Sequence, residues 1–168
     1  MRINLGSGNY TLPGYVNVDQ ENNWCKSKPE VYADISKPLP FPDESADEIC
    51  AFHVLEHFYR YEVDQILENW IRVLKPGGKL ILELPCLDKI LDIFRYVSEQ
   101  GLELPENLTL WGLYGDPKYG DPAMVHKWCY SESELTQLLE LQGLIVEVKK
   151  AQTHQPVRDM RLECTKRS

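Results

Sequence analysis

The tightest constraint on this chain lies in its first twenty residues. An apolar run, Ile3-Asn4-Leu5, ends in Gly6-Ser7-Gly8, and a second run, Tyr15 to Val18, ends in an acid at Asp19. Only Asn9 to Gly14 separate the glycine turn from the second run, too few for the helix that normally returns a chain between parallel strands. Two solutions remain. A bare extended crossover of six residues reaches roughly 20 Å, about the length of a short strand, and keeps both strand ends on one side. A hairpin is equally short, but it puts Asp19 at the opposite end of the sheet from the glycines. In either case Pro13-Gly14 suits the turn into the second strand, with proline setting φ and glycine accepting the left-handed position.

Beyond that point strand-like and helical patterns alternate. Further strand-like runs fall at Val31-Ala33, Glu48-Phe52, Lys79-Leu84, Ile145-Lys149 and Met160-Thr165, several rich in Val, Ile and Leu. Val63, Ile66, Leu67, Trp70, Ile71 and Leu74 share a helical face, and Pro76-Gly77-Gly78 is expected to end that helix before the next strand. Residues 88–100 read as a second helix with Ile90, Leu91, Phe94 and Val97 on its apolar face and Gly101 as its C-terminal cap. Ser131 with Glu134 forms a capping box for a third helix, which carries Leu135, Leu138 and Leu139 and closes at Gly143. The alternation predicts an α/β fold: a Rossmann-like, mostly parallel seven-stranded sheet flanked by helices, with an antiparallel C-terminal hairpin. At 168 residues, one domain over 1–168 is expected.

In such sheets ligands sit outside the carboxyl ends of the central strands, so the residues after each strand carry the chemistry. Gly6 and Gly8 permit close backbone approach to a ligand; Asp19 is placed to accept both hydroxyls of a ribose, and Asp34 to accept an adenine amino group. Singly, each has a plainer reading as a turn glycine or an Asx turn. Their alignment at successive strand ends favours a binding site.

The stretches "INLGSG", "VNVD", "ADISKPLPFPDESADEICAFHVLEHF" and "VLKPGGKLILELP" resemble, in order and spacing, the successive motifs of class I S-adenosylmethionine-dependent methyltransferases, in particular the small type 11 group. The later "HKWCYSESELTQLLELQGL" is similar to that family's downstream helix and strand. The resemblance implies S-adenosyl-L-methionine as cofactor. Leu5, Gly6, Ser7 and Gly8 would approach its methionine part, Asp19 its ribose, Asp34 and Ile35 its adenine, and His53 its methionyl group. The shortened segment after the glycine loop departs from most of the family. That loss is easier to reconcile with S-adenosylmethionine, which has no phosphate, than with a dinucleotide, whose pyrophosphate rests on a helix N-terminus.

Methyl transfer needs a base only where the acceptor holds a proton, and His57 and His126 are the candidates. Residues 102–130, too long and irregular for a connector, are expected to form a lid or acceptor-binding segment, with Trp111, Tyr114 and Tyr119 against the acceptor and Trp128 nearby. The motif "LELPCL" lacks the Asn-Pro-Pro-aromatic pattern of many enzymes that methylate base or glutamine amino groups, which favours a small-molecule, lipid or sugar acceptor. A non-catalytic S-adenosylmethionine-binding regulatory or scaffold module is the alternative.

Charge and cysteine usage narrow the partners. Against 18 Lys and Arg stand 26 Asp and Glu, a formal charge of -8 that argues against general nucleic-acid binding. Five scattered cysteines with no Cys-x-x-Cys pair suggest no metal site and no disulfide framework. No apolar run is long enough for a membrane span and no secretory signal is evident, so a cytoplasmic location is expected. The sheet face left bare by the missing helix is expected to be covered by a partner chain, as in a homodimer, because exposed apolar patches tend to become interfaces.

Overall fold

A computed structural model describes residues 1–21 and 27–168; Cys25, one of the five cysteines, falls outside the described residues. Seven strands form one sheet: β1 (Arg2–Leu5), β2 (Val16–Asp19), β3 (Val31–Tyr32), β4 (Ala46–Phe52), β5 (Leu74–Pro85), β6 (Leu144–Lys150) and β7 (Asp159–Lys166). Their order is β3-β2-β1-β4-β5-β7-β6. The first five are parallel, and β7 runs antiparallel between β5 and β6, so the C-terminal hairpin inserts a reversed strand into the sheet.

β1 and β2 pair in parallel, with Ile3 opposite Val16 and Leu5 opposite Val18. The segment between them is therefore a crossover, not a hairpin, and Asp19 emerges beside the glycine turn. Two buried amides hold it in place. Asn4 Nδ2 donates to the Tyr10 carbonyl (2.9 Å) and to Asn17 Oδ1 (2.9 Å), and Asn17 Oδ1 also accepts the Leu12 N–H (2.8 Å). Both asparagines are 2% exposed. Side-chain amides thus supply the backbone partners that a helix would have supplied internally. The Tyr15 N–H donates to the Leu12 carbonyl, and Gly14 has φ +79°, so Pro13-Gly14 turns the chain as its composition predicts.

Alternation along the strands divides the sheet into two unlike faces. Ile3, Leu5, Ile49, Ala51, Leu80 and Leu82 share one core with Val63, Leu67 and Trp70 of α1 (Arg60–Val73), and with Leu135, Leu138 and Leu139 of α4 (Glu132–Leu141). The residues between them point the other way, and most are polar. Arg161 Nη1 donates to Glu83 (3.2 Å) and its Nε to Glu163 (2.9 Å), while Arg2 lies over the Tyr15 ring at 4.5 Å. This face therefore carries charged and amide groups rather than a continuous apolar surface.

Two details differ from expectation. The first long helix ends at Val73, and Pro76-Gly77-Gly78 lie inside β5 rather than between helix and strand. The ladder to β4 passes from Ala46 opposite Leu74 to Glu48 opposite Lys79, so Lys75 to Gly78 form an excess loop in β5 that proline and a left-handed Gly77 accommodate. The second helix, α2 (Leu87–Gln100), buries only Ile90 and Val97, and Leu91 is half exposed. It packs on the segment after it, where Ile90 abuts Gly112 so closely that a Cβ there would come within 2.6 Å of Ile90 Cδ1. That segment holds α3 (Leu110–Tyr114) among short 3₁₀ turns.

Among the described residues no helix is long and apolar enough to cross a membrane. Replacing Asn17 with Ala would leave the Asn4 amide and the Leu12 N–H without their shared acceptor. The expected cost is about 2–6 kcal/mol, from roughly 1–3 kcal/mol per buried unpaired group, read as a lower urea midpoint at unchanged slope.

Candidate active site

At the carboxyl ends of β1, β2 and β4, and beyond β3, lies a cavity of about 460 Å³, within the range of ligand pockets. Its floor is the glycine turn. Gly6 has φ +62°, and a Cβ there would lie 2.5 Å from Val54 Cγ2, so only glycine fits between this loop and the residue after β4. Ser7 is buried against the cavity with no partner for its Oγ, an unpaired hydroxyl of the kind a ligand satisfies.

Asp19 closes the second strand over this floor. Its Oδ2 accepts the Gly8 N–H (2.5 Å) and its Oδ1 the Gln20 N–H (2.7 Å), which orients the carboxylate while each oxygen keeps acceptor capacity. Asp34 also lines the cavity, fixed by the Ser36 N–H (2.9 Å) and hydroxyl (2.6 Å) on Oδ1. Beside it, the Ile35 carbonyl accepts a 2.9 Å hydrogen bond from the buried Trp70 indole of α1, which sets the height of this wall.

His53 completes the wall from the end of β4. It is a non-glycine residue with φ +55°, a conformation that persists only where its surroundings impose it. Its Nε2 donates to Asp159 Oδ2 (3.0 Å) at the start of β7, and its Nδ1 lies 3.2 Å from Glu56 Oε1. Burial alone would lower the pKa of this imidazole, but the bonds to Asp159 and Glu56 outweigh it and lift the value to about 9. Burial likewise pushes both carboxyls up, and the histidine contact with each outweighs it, leaving Glu56 and Asp159 at about 2. His53 is therefore a cation held between two buried anions. Arg158 gives Asp159 a second partner through a 2.6 Å Nε bond.

The connection from β6 to β7 adds a residue the sequence reading did not select. Glu83 accepts the Gln152 N–H (3.0 Å) and the Thr153 N–H (2.5 Å), which pins this turn to the sheet and sets His154 on the cavity wall, 4.3 Å ring to ring from His53.

Of the residues singled out from the sequence, Gly6, Ser7, Gly8, Asp19, Asp34, Ile35, His53, His57 and Tyr119 meet at this one cavity. Leu5 does not; it faces α1 in the core, because it follows Ile3 by two on the same strand face. Trp111 and Tyr114 lie on α3 outside the cavity lining, with Tyr114 67% exposed, and Trp128 is turned to a 3.1 Å bond with Glu134. His126 sits behind the wall, where its Nδ1 meets the Gly112 carbonyl at 2.9 Å. The stretch 102–130 reaches the cavity instead through Tyr119, Ala123, Met124 and Lys127. Glu56 and Asp159 went unselected; Asp159 meets His53 across 106 residues of chain, which no local pattern encodes.

The strand order, with its one reversed strand beside the last, and the cavity over the glycine turn and the acids after β2 and β3 match one group of known proteins. The fold is that of S-adenosylmethionine-dependent methyltransferases. Residues 14–82 match the family model described as a methyltransferase domain. A Mycolicibacterium smegmatis protein described as a probable S-adenosylmethionine-dependent methyltransferase is 29% identical over 109 residues, 65% of this chain. The chain spans 32% of that relative's length. Among solved structures, a methyltransferase from Methanosarcina mazei superposes with a TM-score of 0.64 at 19% identity, covering 99% of this chain and 92% of that one. Human N-acetylserotonin methyltransferase, solved with S-adenosylmethionine, gives 0.60 at 16% identity, covering 99% of this chain and 47% of that one.

The His53 arrangement is testable without any ligand. His53→Asn tolerates the left-handed backbone but removes the cation between Glu56 and Asp159, and is expected to lower stability by about 3–5 kcal/mol. The exposed His154→Asn should change it by less than about 1 kcal/mol. Equal, small effects of the two in denaturant titrations would show that His53 is not the charge balancing this wall.

Proposed function

We propose that this protein is an S-adenosylmethionine-dependent methyltransferase acting on a small-molecule acceptor, with the donor seated over the glycine turn. The observation that carries this reading is the parallel crossover, which brings Gly6, Ser7, Asp19 and Asp34 to one cavity. The fit is chemical as well as spatial. The space a Cβ at Gly6 would need is filled by Val54, so the backbone itself forms the cradle. The unpaired Ser7 hydroxyl offers both a donor and an acceptor, and two carboxylates face a cofactor rich in hydroxyl and amino donors. No helix starts at Gly8, so nothing here offers the N-terminal amides a pyrophosphate requires, which disfavours a nicotinamide reading.

When bound, S-adenosylmethionine supplies an electrophilic methyl group for in-line displacement. The chain's part is to align the acceptor and exclude water. Asp19 and Asp34 fix the nucleoside end by accepting its donors, and the turn at Gly6 holds the amino-acid end through backbone groups. The acceptor would enter past Tyr119, Met124 and Lys127, so residues 117–127 serve as the acceptor-facing segment. Lys127 extends over the Tyr59 ring at 4.8 Å and gives this entrance a cation, which suits an acceptor with a carboxylate or another anionic group.

S-adenosylhomocysteine is expected to bind saturably in an isothermal titration. Asp19→Ala should weaken it at least about tenfold, since a charge-assisted hydrogen bond contributes roughly 1.5–3 kcal/mol. No heat of binding at millimolar ligand would overturn the assignment.

A further inference from the structure

Three side chains that methyl transfer does not require converge behind the acceptor wall. Glu56, in the 3₁₀ turn Leu55–His57 after β4, is 1% exposed, and neither carboxylate oxygen has an aligned hydrogen-bond donor. His57 and His126 stand beside it, their rings edge to face at 4.9 Å. One ligand atom from each of the three residues lies within 4.8 Å of the other two, and Glu56 Oε1 is 3.9 Å from His126 Nε2.

The protonation of these rings is set from outside the cluster. His126 Nδ1 is 2.9 Å from the Gly112 carbonyl and His57 Nδ1 is 3.3 Å from the Val125 carbonyl. Carbonyls only accept, so Nδ1 is the donor in each contact and Nε2 is the ring nitrogen left to face a ligand. The result is a buried carboxylate, shared with His53, beside two imidazole rings, an arrangement that a further cation would stabilise. The neighbouring cations are engaged in part elsewhere. His53 touches Glu56 at 3.2 Å but gives its aligned hydrogen bond to Asp159, and the Lys127 amine lies over Tyr59.

We propose that Glu56, His57 and His126 form a binding site for one divalent first-row transition-metal ion, of which zinc is the model. Two imidazole nitrogens and one carboxylate oxygen are a recurrent donor set for such ions, and backbone carbonyls on the distal ring nitrogens are the usual outer shell. Shifts of under about 1 Å per ligand atom would bring all three to bonding distances of about 2 Å. His57 lines the cavity while Glu56 and His126 lie behind it, so the ion would sit in the wall between the acceptor space and the core. This makes His57 and His126 ligands rather than general bases. The site is built entirely from protein side chains and does not rest on the methyl-transfer reading.

The test uses the tag-free full chain, stripped with a chelator, and reads Co²⁺ binding by visible absorption without cofactor or acceptor. One equivalent of Co²⁺ is expected to produce ligand-field bands that Zn²⁺ abolishes, and Zn²⁺ is expected to raise the unfolding temperature. Glu56→Gln and His126→Gln should each weaken Co²⁺ binding at least about tenfold, while His154→Gln leaves it unchanged. Circular dichroism establishes that each variant is folded. A wild-type chain that shows no saturable band near one equivalent would overturn the proposal, whatever the variants do. So would Co²⁺ affinity that survives both Glu56→Gln and His126→Gln in folded protein.

Discussion

The amide of Asn4, shared between the crossover backbone and Asn17, is the contact on which the remaining geometry depends. Parallel strands usually need a dozen or more residues of connection, most often a helix that satisfies its own backbone groups. Here residues 6–15 do the work, and such a short extended segment cannot pair internally. Buried asparagines on β1 and β2 pair it instead. Because the connection crosses over, Asp19 leaves the sheet at the same end as Gly6, and Gly8 can donate to its carboxylate. Had the chain turned back as a hairpin, the acid and the glycines would lie a strand length apart.

The same economy shapes the rest of the sheet. With α1 and α4 both on one face, the opposite face carries asparagine, glutamate and arginine where parallel sheets normally carry aliphatic residues on both sides. One of these polar groups has a direct bearing on the site: Glu83 holds the turn that delivers His154 to the cavity. The cost of burying Glu56 and Asp159 near the cavity is offset by His53 and Arg158, which explains why a strained left-handed histidine is kept where a glycine would relax the backbone.

Much of this was legible in the sequence where a residue's role follows from its neighbours. The seven strands, the Pro13-Gly14 turn, the Ser131 cap and the acids after β2 and β3 are local patterns, and all are present in the fold. The direction of the short crossover was not legible, because it depends on Asn4 meeting Asn17, and an asparagine in a strand reads locally as a poor strand former. The exit of the first helix was misread for a related reason. Pro-Gly-Gly ends helices often, but here Leu74 already pairs with Ala46, and the three residues became a bulge. Residue type alone does not separate Tyr119 on the cavity from Trp111 and Tyr114 beyond it. The grouping of Glu56, His57 and His126 joins two distant segments through the Gly112 and Val125 carbonyls, and no spacing rule reaches that far.

The claim at the centre is that the glycine turn, Asp19 and the segment after β3 form one donor site. Hydrogen–deuterium exchange of the full chain, with and without S-adenosylhomocysteine, addresses it most directly because it reports place as well as binding. Slowed exchange in peptides covering 6–10, 19–20 and 33–36, with the sheet edge at β6 unaffected, is the predicted result. Protection confined to other segments, or none at saturating ligand, would contradict it.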